Sequence, residues 1–457
     1  MDLKEKQKHL MLYGALPEVM WKLSLPAIIA MVLFGLNAFL DAVFVGQLID
    51  KTALAGVSIA YPLSQITFGL GSLVGVGAGT VLSIALGAND TEVQKRLLGN
   101  MLWLSLWITV LFAVPTSIFA EELVAFMGGE GQVLALGTAY FKTTLIGAFF
   151  WIHGLALNML IRGEGKIKEA ALMMALGLLI NIILNPVFIL FFDMGVRGAA
   201  WATNVAMLIY TLIGYWYFIT DKASFVVNVS YLGWDKKLLK SICSTGMPSL
   251  IMSVMSVIQA IVVFNVVAGL GNEPDIAFYG AANRILLFMM TPLFGLMRAL
   301  QPVAGINYGA KQYDRVIQAY SLFTKTGFWV ILPFWLLMTL FPQLTLSTML
   351  PGFAFGEGEL LNFRVYIFVL PFLPVIFMAL VLLPSIENGR MASLLVLARQ
   401  VVFYIPVMLL LPKLTGLSGV YWGSTGIDIV IIACTYLMVV TAFSKIRKLQ
   451  DQAVLNG

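Results

Sequence analysis

The sequence predicts an all-α polytopic membrane protein, with twelve transmembrane helices in two six-helix lobes related by a pseudo-two-fold axis normal to the membrane. Composition is the first ground. Of 457 residues, 60% are hydrophobic and 11% charged, with a mean hydropathy of +0.92; an ordinary soluble domain carries about 25% charged residues. The second ground is run length. The apolar stretches are long and continuous, as ~20-residue helical spans require, and lack the short alternating pattern of a β-barrel. The third is an internal repeat. SLPAIIAMV at Ser24 resembles GMPSLIMSV at Gly246, which puts Pro26 and Pro248 222 residues apart. Gly87-Ala88 and Gly309-Ala310 share that offset, and GAAWAT (198–203) pairs with GVYWGS (419–424) at 221. Repeats of six spans have the same orientation in the bilayer, which makes the axis normal to the membrane.

Taken in order, the spans are predicted at 23–46, 53–86, 97–119, 133–160, 169–192, 198–219, 242–270, 276–308, 326–346, 365–386, 391–411 and 417–443. Of the 28 Lys and Arg, 20 fall before the first span, after the last, or in the breaks on that same side. The opposite breaks hold Lys51, Arg197, Arg364 and Lys413, and four bases lie within spans: Lys142, Arg284, Arg298 and Arg399. The bias places both termini in the cytoplasm. It also explains the net charge of +5 as a topology signal, with no nucleic-acid partner implied. The expected division is an N-terminal lobe at 1–219, a cytoplasmic linker at 220–240 and a C-terminal lobe at 241–457. One chain carries both lobes, so a monomer is expected. The basic segment MDLKEKQKH is not followed by a cleavable signal pattern, so the first span should persist as a helix. Cys243 and Cys434 suggest neither a disulfide framework nor a metal site. Two like bundles flanking a cleft form the architecture of an alternating-access transporter. The absence of a catalytic cluster argues against an enzyme, and that of a soluble domain against a signalling protein.

The first span, PAIIAMVLFGLNAFLDAVFVG (26–46), carries one acid. A bare carboxylate in hydrocarbon costs at least a few kcal/mol, which makes Asp41 a functional candidate. Helical spacing puts Phe34, Asn37 and Asp41 on one stripe, and Pro26 supplies a natural hinge. The repeat places Val263 opposite Asp41, so the acid belongs to one lobe only. In the fifth span Met173, Gly177, Asn181 and Asn185 recur every four residues, and Thr203 adds a hydroxyl in the sixth. Asp41, Asn37, Asn181, Asn185 and Thr203 are therefore expected to bind a proton or small cation. Ordinary interhelical hydrogen bonding, about 0.6–2 kcal/mol per contact, explains the same spacing. Asp428, in the twelfth span, reads as a structural ion pair with Arg284 or Arg298, and His153 as a packing residue or a proton relay. Methionine and phenylalanine suit adaptable binding surfaces. Phe34, Asp41, Phe150, Met173, Met174, Met207, Phe288 and Met289 are the expected substrate-binding residues.

Pro26…Asp41 followed by FVG, then ALAGVSIAYP (53–62), GAND (87–90), RGEGK (162–166), NIILNPVFI (181–189) and GAAWAT together resemble the multidrug and toxic compound extrusion family, in its DinF-like prokaryotic branch. The resemblance covers essentially the whole chain. It implies a plasma-membrane antiporter that exports organic, often cationic or amphipathic compounds against proton or sodium entry, without a cofactor. It also implies that Asp41, Asn181 and Thr203 belong to the coupling site in the N-terminal lobe. Relatives commonly carry a second acid where this chain has Asn185, and the seventh span offers only Gln259 as a deep polar residue. Hard cations favour charged oxygen ligands, so protons are expected over sodium, with sodium coupling as the alternative. A flippase for a lipid-linked polyanion is the other rival. It would need several basic residues around its cleft, and those of the spans are scattered along the sequence.

Overall fold

The computed structural model describes residues 3–220, 222–228 and 231–455. Residues 221, 229 and 230 of the expected linker, and the outermost residues of the two expected lobes, lie outside the described residues. In chain order the α-helices are α1 (Leu3–Tyr13), α2 (Leu16–Leu48), α3 (Lys51–Gly87), α4 (Thr91–Ile118), α5 (Ala120–Phe126), α6 (Gly131–Ile146), α7 (Ala148–Gly163), α8 (Ile167–Pro186), α9 (Gly195–Ile219), α10 (Lys236–Leu270), α11 (Glu273–Gly309), α12 (Tyr313–Leu340), α13 (Pro342–Ser347), α14 (Glu357–Ile367), α15 (Pro374–Ser385), α16 (Gly389–Leu397), α17 (Ile405–Thr415) and α18 (Ser418–Leu455). Among the described residues, ten spans are long and apolar enough to cross a membrane. Two more are bent pairs, α6 with α7 at 56° and α14 with α15 at 40°, which makes the expected twelve.

The repeat is visible in the helix ends themselves. α3 and α11 begin and end 222 residues apart, as do α4 and α12. Their starts are set by the same chemistry: the Asp50 carboxylate accepts from Ala53 N–H at 2.6 Å, and the Asn272 side chain accepts from Asp275 N–H at 3.2 Å. Such caps satisfy orphan donors and are worth about 1 kcal/mol each. Asn89 and Lys311, again 222 apart, both sit at positive φ, 58° and 59°. They turn the chain just beyond α3 and α11.

One end of the lobe interface is sealed, backbone against backbone. A Cβ on Gly87 would lie 2.0 Å from the Ile306 carbonyl, and one on Gly309 would lie 2.0 Å from the Ile84 carbonyl. These two contacts are each other's repeat image. Gly77 meets Ile242, and Gly246 meets Leu73, in the same way. α1, which covers most of the basic N-terminal segment, lies across this end. Gln7 donates to the Gly165 carbonyl of the first lobe at 2.9 Å, while Asn307 and Arg315 of the second donate to the Met11 carbonyl at 3.2 and 3.1 Å. The linker rests on the same end. Trp103 Nε1 donates to the Leu232 carbonyl at 2.9 Å, and Asp235 N–H to Asn100 Oδ1 at 2.7 Å. Glu164, just beyond α7, accepts from Tyr217 O–H at 2.6 Å and from Ser224 N–H. Burial pushes the Glu164 carboxyl up to about 7 against those two donors.

Candidate functional site

The period-four spacing in α2 and α8 brings the five expected coupling residues into one hydrogen-bonded chain. Asn37 Nδ2 donates to Asp41 Oδ2 at 3.3 Å, and Asn185 Nδ2 donates to Asp41 Oδ1 at 3.0 Å. Asn185 Nδ2 also lies 3.0 Å from both the carbonyl and Oδ1 of Asn181, whose own Nδ2 donates to Thr203 Oγ1 at 3.2 Å. Asn181, Asn185 and Thr203 are buried. α8 ends at Pro186, next to Asn185, and a π-helical turn (Val187–Phe191) follows; the wider turn takes over where proline lacks an N–H donor. Asn185 Oδ1 is buried without a partner among the described residues.

Asp41 faces a cavity of about 70 Å³ within the first lobe, which Tyr61, Gln65, Tyr140 and Trp151 also line. Spacing gave no hint of these four, because they come from α3, α6 and α7. A second cavity of about 50 Å³ lies beside it, with Asn181, Met174 and Met207 in its wall. The cleft between the lobes is larger, about 480 Å³, and its wall is mostly of the second lobe. Phe34 lines all three spaces, and Gln65 lines both the Asp41 cavity and the cleft. Phe34 packs on Phe68 with ring centroids 5.2 Å apart. Asp41 is thus one side chain removed from the cleft.

The other expected substrate-binding residues divide. Phe34, Met174 and Met207 line cavities. Met173 is 3% exposed and packs toward Gly214. Phe150 packs edge-on against Phe149, Met289 is packed on the core, and Phe288 is exposed outside the wall of the cleft. α2 runs unbroken through Pro26. Just beyond it Ile28 presses on Gly295 of α11, where a Cβ would lie 2.4 Å from Ile28 Cγ1. His153 has both ring nitrogens occupied, Nδ1 with Ser105 Oγ at 3.0 Å and Nε2 with Tyr215 O–H at 2.8 Å.

The structure corrects two expectations. Asp428 does not pair with Arg284 or Arg298: its Oδ1 accepts from Arg399 Nε at 2.8 Å, in the wall of the cleft. Arg399 lies in a π-helical turn (Ala398–Tyr404) of the eleventh span and reaches Asp428 on α18. Nor are the bases all scattered. Arg162, read as a loop residue, is 3% exposed and lines one cavity with Arg298. Of the remaining two, Lys142 and Arg284 are exposed.

Comparison with known proteins agrees with this fold. The MatE family model matches residues 26–187 and again 248–410, beginning both times at the repeated proline. The multidrug export protein MepA of Staphylococcus aureus (strain MSSA476) is 26% identical over 428 residues, 92% of this chain and 93% of that protein. A crystal structure of MATE in the bent conformation superposes with a TM-score of 0.90 at 25% identity, over 97% of this chain and 98% of that one. The outward-facing conformation of a multidrug resistance MATE family transporter of the MOP superfamily superposes at 0.86 and 25% identity, over 96% and 98%.

Proposed function

The chain belongs to the MatE family of multidrug efflux transporters, and from that premise we propose that it is a secondary exporter which exchanges organic, often cationic or amphipathic compounds for protons by alternating access. It works as a monomer in the plasma membrane, with both termini and the sealed end facing the cytoplasm. The described conformation is then outward-facing. The observation that carries this reading is the partnering of Asp41. Its hydrogen-bond donors are the amides of Asn37 and Asn185, which carry no charge of their own. Any change in the protonation of Asp41 therefore changes the net charge of its cavity.

Asn185 lets the site accept both states. An ionised Asp41 takes the Asn185 Nδ2 donor. A protonated Asp41 becomes a donor itself and needs an acceptor, and Asn185 Oδ1 has none among the described residues. Half a turn of that amide exchanges one role for the other. The rearrangement passes to Asn181 and Thr203 through their shared hydrogen bonds, and to the cleft through Phe34 and Gln65. Pro26, where α2 lacks one backbone bond, is the hinge for the accompanying bend of the helix. Protonation from outside weakens the hold on a cationic substrate, and return of the proton to the cytoplasm resets the cycle. By reciprocity, drug binding opposes protonation.

Drug-induced proton movement in proteoliposomes tests the scheme, with the unaltered protein and Asp41→Asn compared with and without sodium. Coupled flux that requires Asp41 and ignores sodium is expected. Flux that persists in Asp41→Asn, or that needs sodium, overturns it. Asn185→Asp would set a second carboxylate beside the first. In that variant sodium is expected to stimulate transport, because two charged oxygen ligands suit a hard cation.

A further inference from the structure

The cleft has a side cavity of about 80 Å³, on whose walls stand Arg162 of α7 from the first lobe and Arg298 of α11 from the second. The two spaces share seven residues, Phe68, Met297 and Arg298 among them. Arg162 is 3% exposed, yet neither its Nη1 nor its Nη2 has an acceptor among the described residues, and the same holds for Arg298 Nε. No residue lining the side cavity is acidic; its other polar groups are the hydroxyls of Ser72, Thr80, Ser249 and Ser253 and the Gln301 amide. Gln301 Nε2 is already committed to Thr80 Oγ1 at 2.9 Å and the Val76 carbonyl at 3.2 Å. Arg399, by contrast, has its carboxylate 2.8 Å away.

Buried charges are normally paired, and two guanidinium groups lining one cavity repel each other unless an anion joins them. A guanidinium presents its N–H groups as a planar fork that matches a carboxylate or phosphate. We infer that the Arg162–Arg298 cavity is an anion-binding seat for a carboxylate or phosphate group. An anion held there bridges the two lobes and strengthens the closed end of the interface. It arrives either as a small free anion or as the acidic head of an amphipathic molecule whose apolar body lies against Phe68 and Met297. The second source rests on the export reading above and extends its substrates to zwitterionic and acidic amphipaths.

The test uses the full chain in neutral phosphatidylcholine nanodiscs. Binding of 1-pyrenebutyrate is followed by fluorescence anisotropy, and thermal unfolding is followed in acetate and phosphate against chloride at matched ionic strength. Arg162→Gln and Arg298→Gln are compared with the unaltered chain; neither arginine is in an ion pair among the described residues, so both variants are expected to fold. Asp41→Asn is the control, expected to bind the probe unchanged even if the proton scheme fails. Pyrenebutyrate affinity that falls about tenfold or more in either arginine variant, with competition by acetate, supports the amphipath source. Stabilisation by phosphate or acetate that both variants lose, without binding of the probe, supports the free anion. Variants that match the unaltered chain in both measurements overturn the seat.

Discussion

Each lobe carries one acid well inside its spans, and the two acids are held in opposite ways. Asp41 of the first lobe is partnered by two amides, in a cavity closed from the cleft by Phe34 and Gln65. Asp428 of the second lobe is locked to Arg399 at 2.8 Å and stands in the wall of the cleft itself. Each site adjoins a π-helical turn in the fifth span of its lobe, but the acid comes from the first span in one lobe and from the sixth in the other. Neutral partners leave a carboxylate whose charge nothing nearby compensates. A guanidinium partner makes a unit that is neutral as a whole and is harmed by the loss of either half. The same backbone repeat thus supports a group suited to switching on one side and a structural pair on the other.

Replacing each acid by its amide breaks the comparison most directly. Asp41→Asn is expected to lower drug-coupled proton flux by about a hundredfold or more, the scale of losing a positioned proton-transfer group. Its unfolding midpoint should hardly move, because an asparagine keeps one oxygen to accept from Asn37 and its new N–H2 can donate to Asn185 Oδ1 once that amide turns over. Asp428→Asn should do the reverse in the unfolding assay. It strands the Arg399 guanidinium, and with side chains 13% and 21% exposed the loss is about 3 kcal/mol, at the low end for a broken buried pair. The double variant Asp428→Leu with Arg399→Met should recover most of that loss in the same assay.

A third contrast lies at the sealed end. The repeat places Ile386 opposite Glu164, so only the first lobe ties the linker with a buried carboxyl. The folded pKa of about 7 lies above the ordinary 4.5. The native state therefore keeps a proton that the unfolded chain gives up between those values. The contribution of this group is full below about pH 4.5 and is lost as pH rises through about 7. Glu164→Gln should flatten that part of the stability–pH profile, a change of up to about 3 kcal/mol, read from unfolding midpoints across the range. The smallest effect is expected at the far end of the Asp41 chain. Thr203→Val removes the acceptor of Asn181 and should cost about 0.6–1.7 kcal/mol, with transport slowed but still coupled to protons.

Much of the Asp41 site was legible because its parts are local. Asn37 and Asp41 are four residues apart, as are Asn181 and Asn185, and a helix puts such pairs on one face whatever surrounds it. Polarity suggests that α2 and α8 turn these faces toward each other, and the Asn185–Asp41 hydrogen bond joins them. Tyr61, Tyr140 and Trp151 escaped notice because an isolated aromatic in an apolar run gives no sign of the cavity it faces. Arg162 was misjudged for a related reason. At the end of a span an arginine reads as a topology signal, and only the close approach of the lobes buries it. α1 went unrecognised because its polar run needs the sealed end of both lobes to rest on.

The sequence by itself determined the class of the molecule, its twelve spans, the repeat and the lone acid in the first span. These follow from hydropathy, from periodicity and from an offset of 222 residues between like segments, all of which act along the chain. The tertiary structure decided which of three arginines Asp428 would meet, which phenylalanines and methionines would line cavities, and that Arg162 and Arg298 would face one space. Those outcomes depend on the rotation of each helix about its own axis and on how closely two lobes pack. In an apolar run with little amphipathic contrast, such rotations are set by the neighbouring helices.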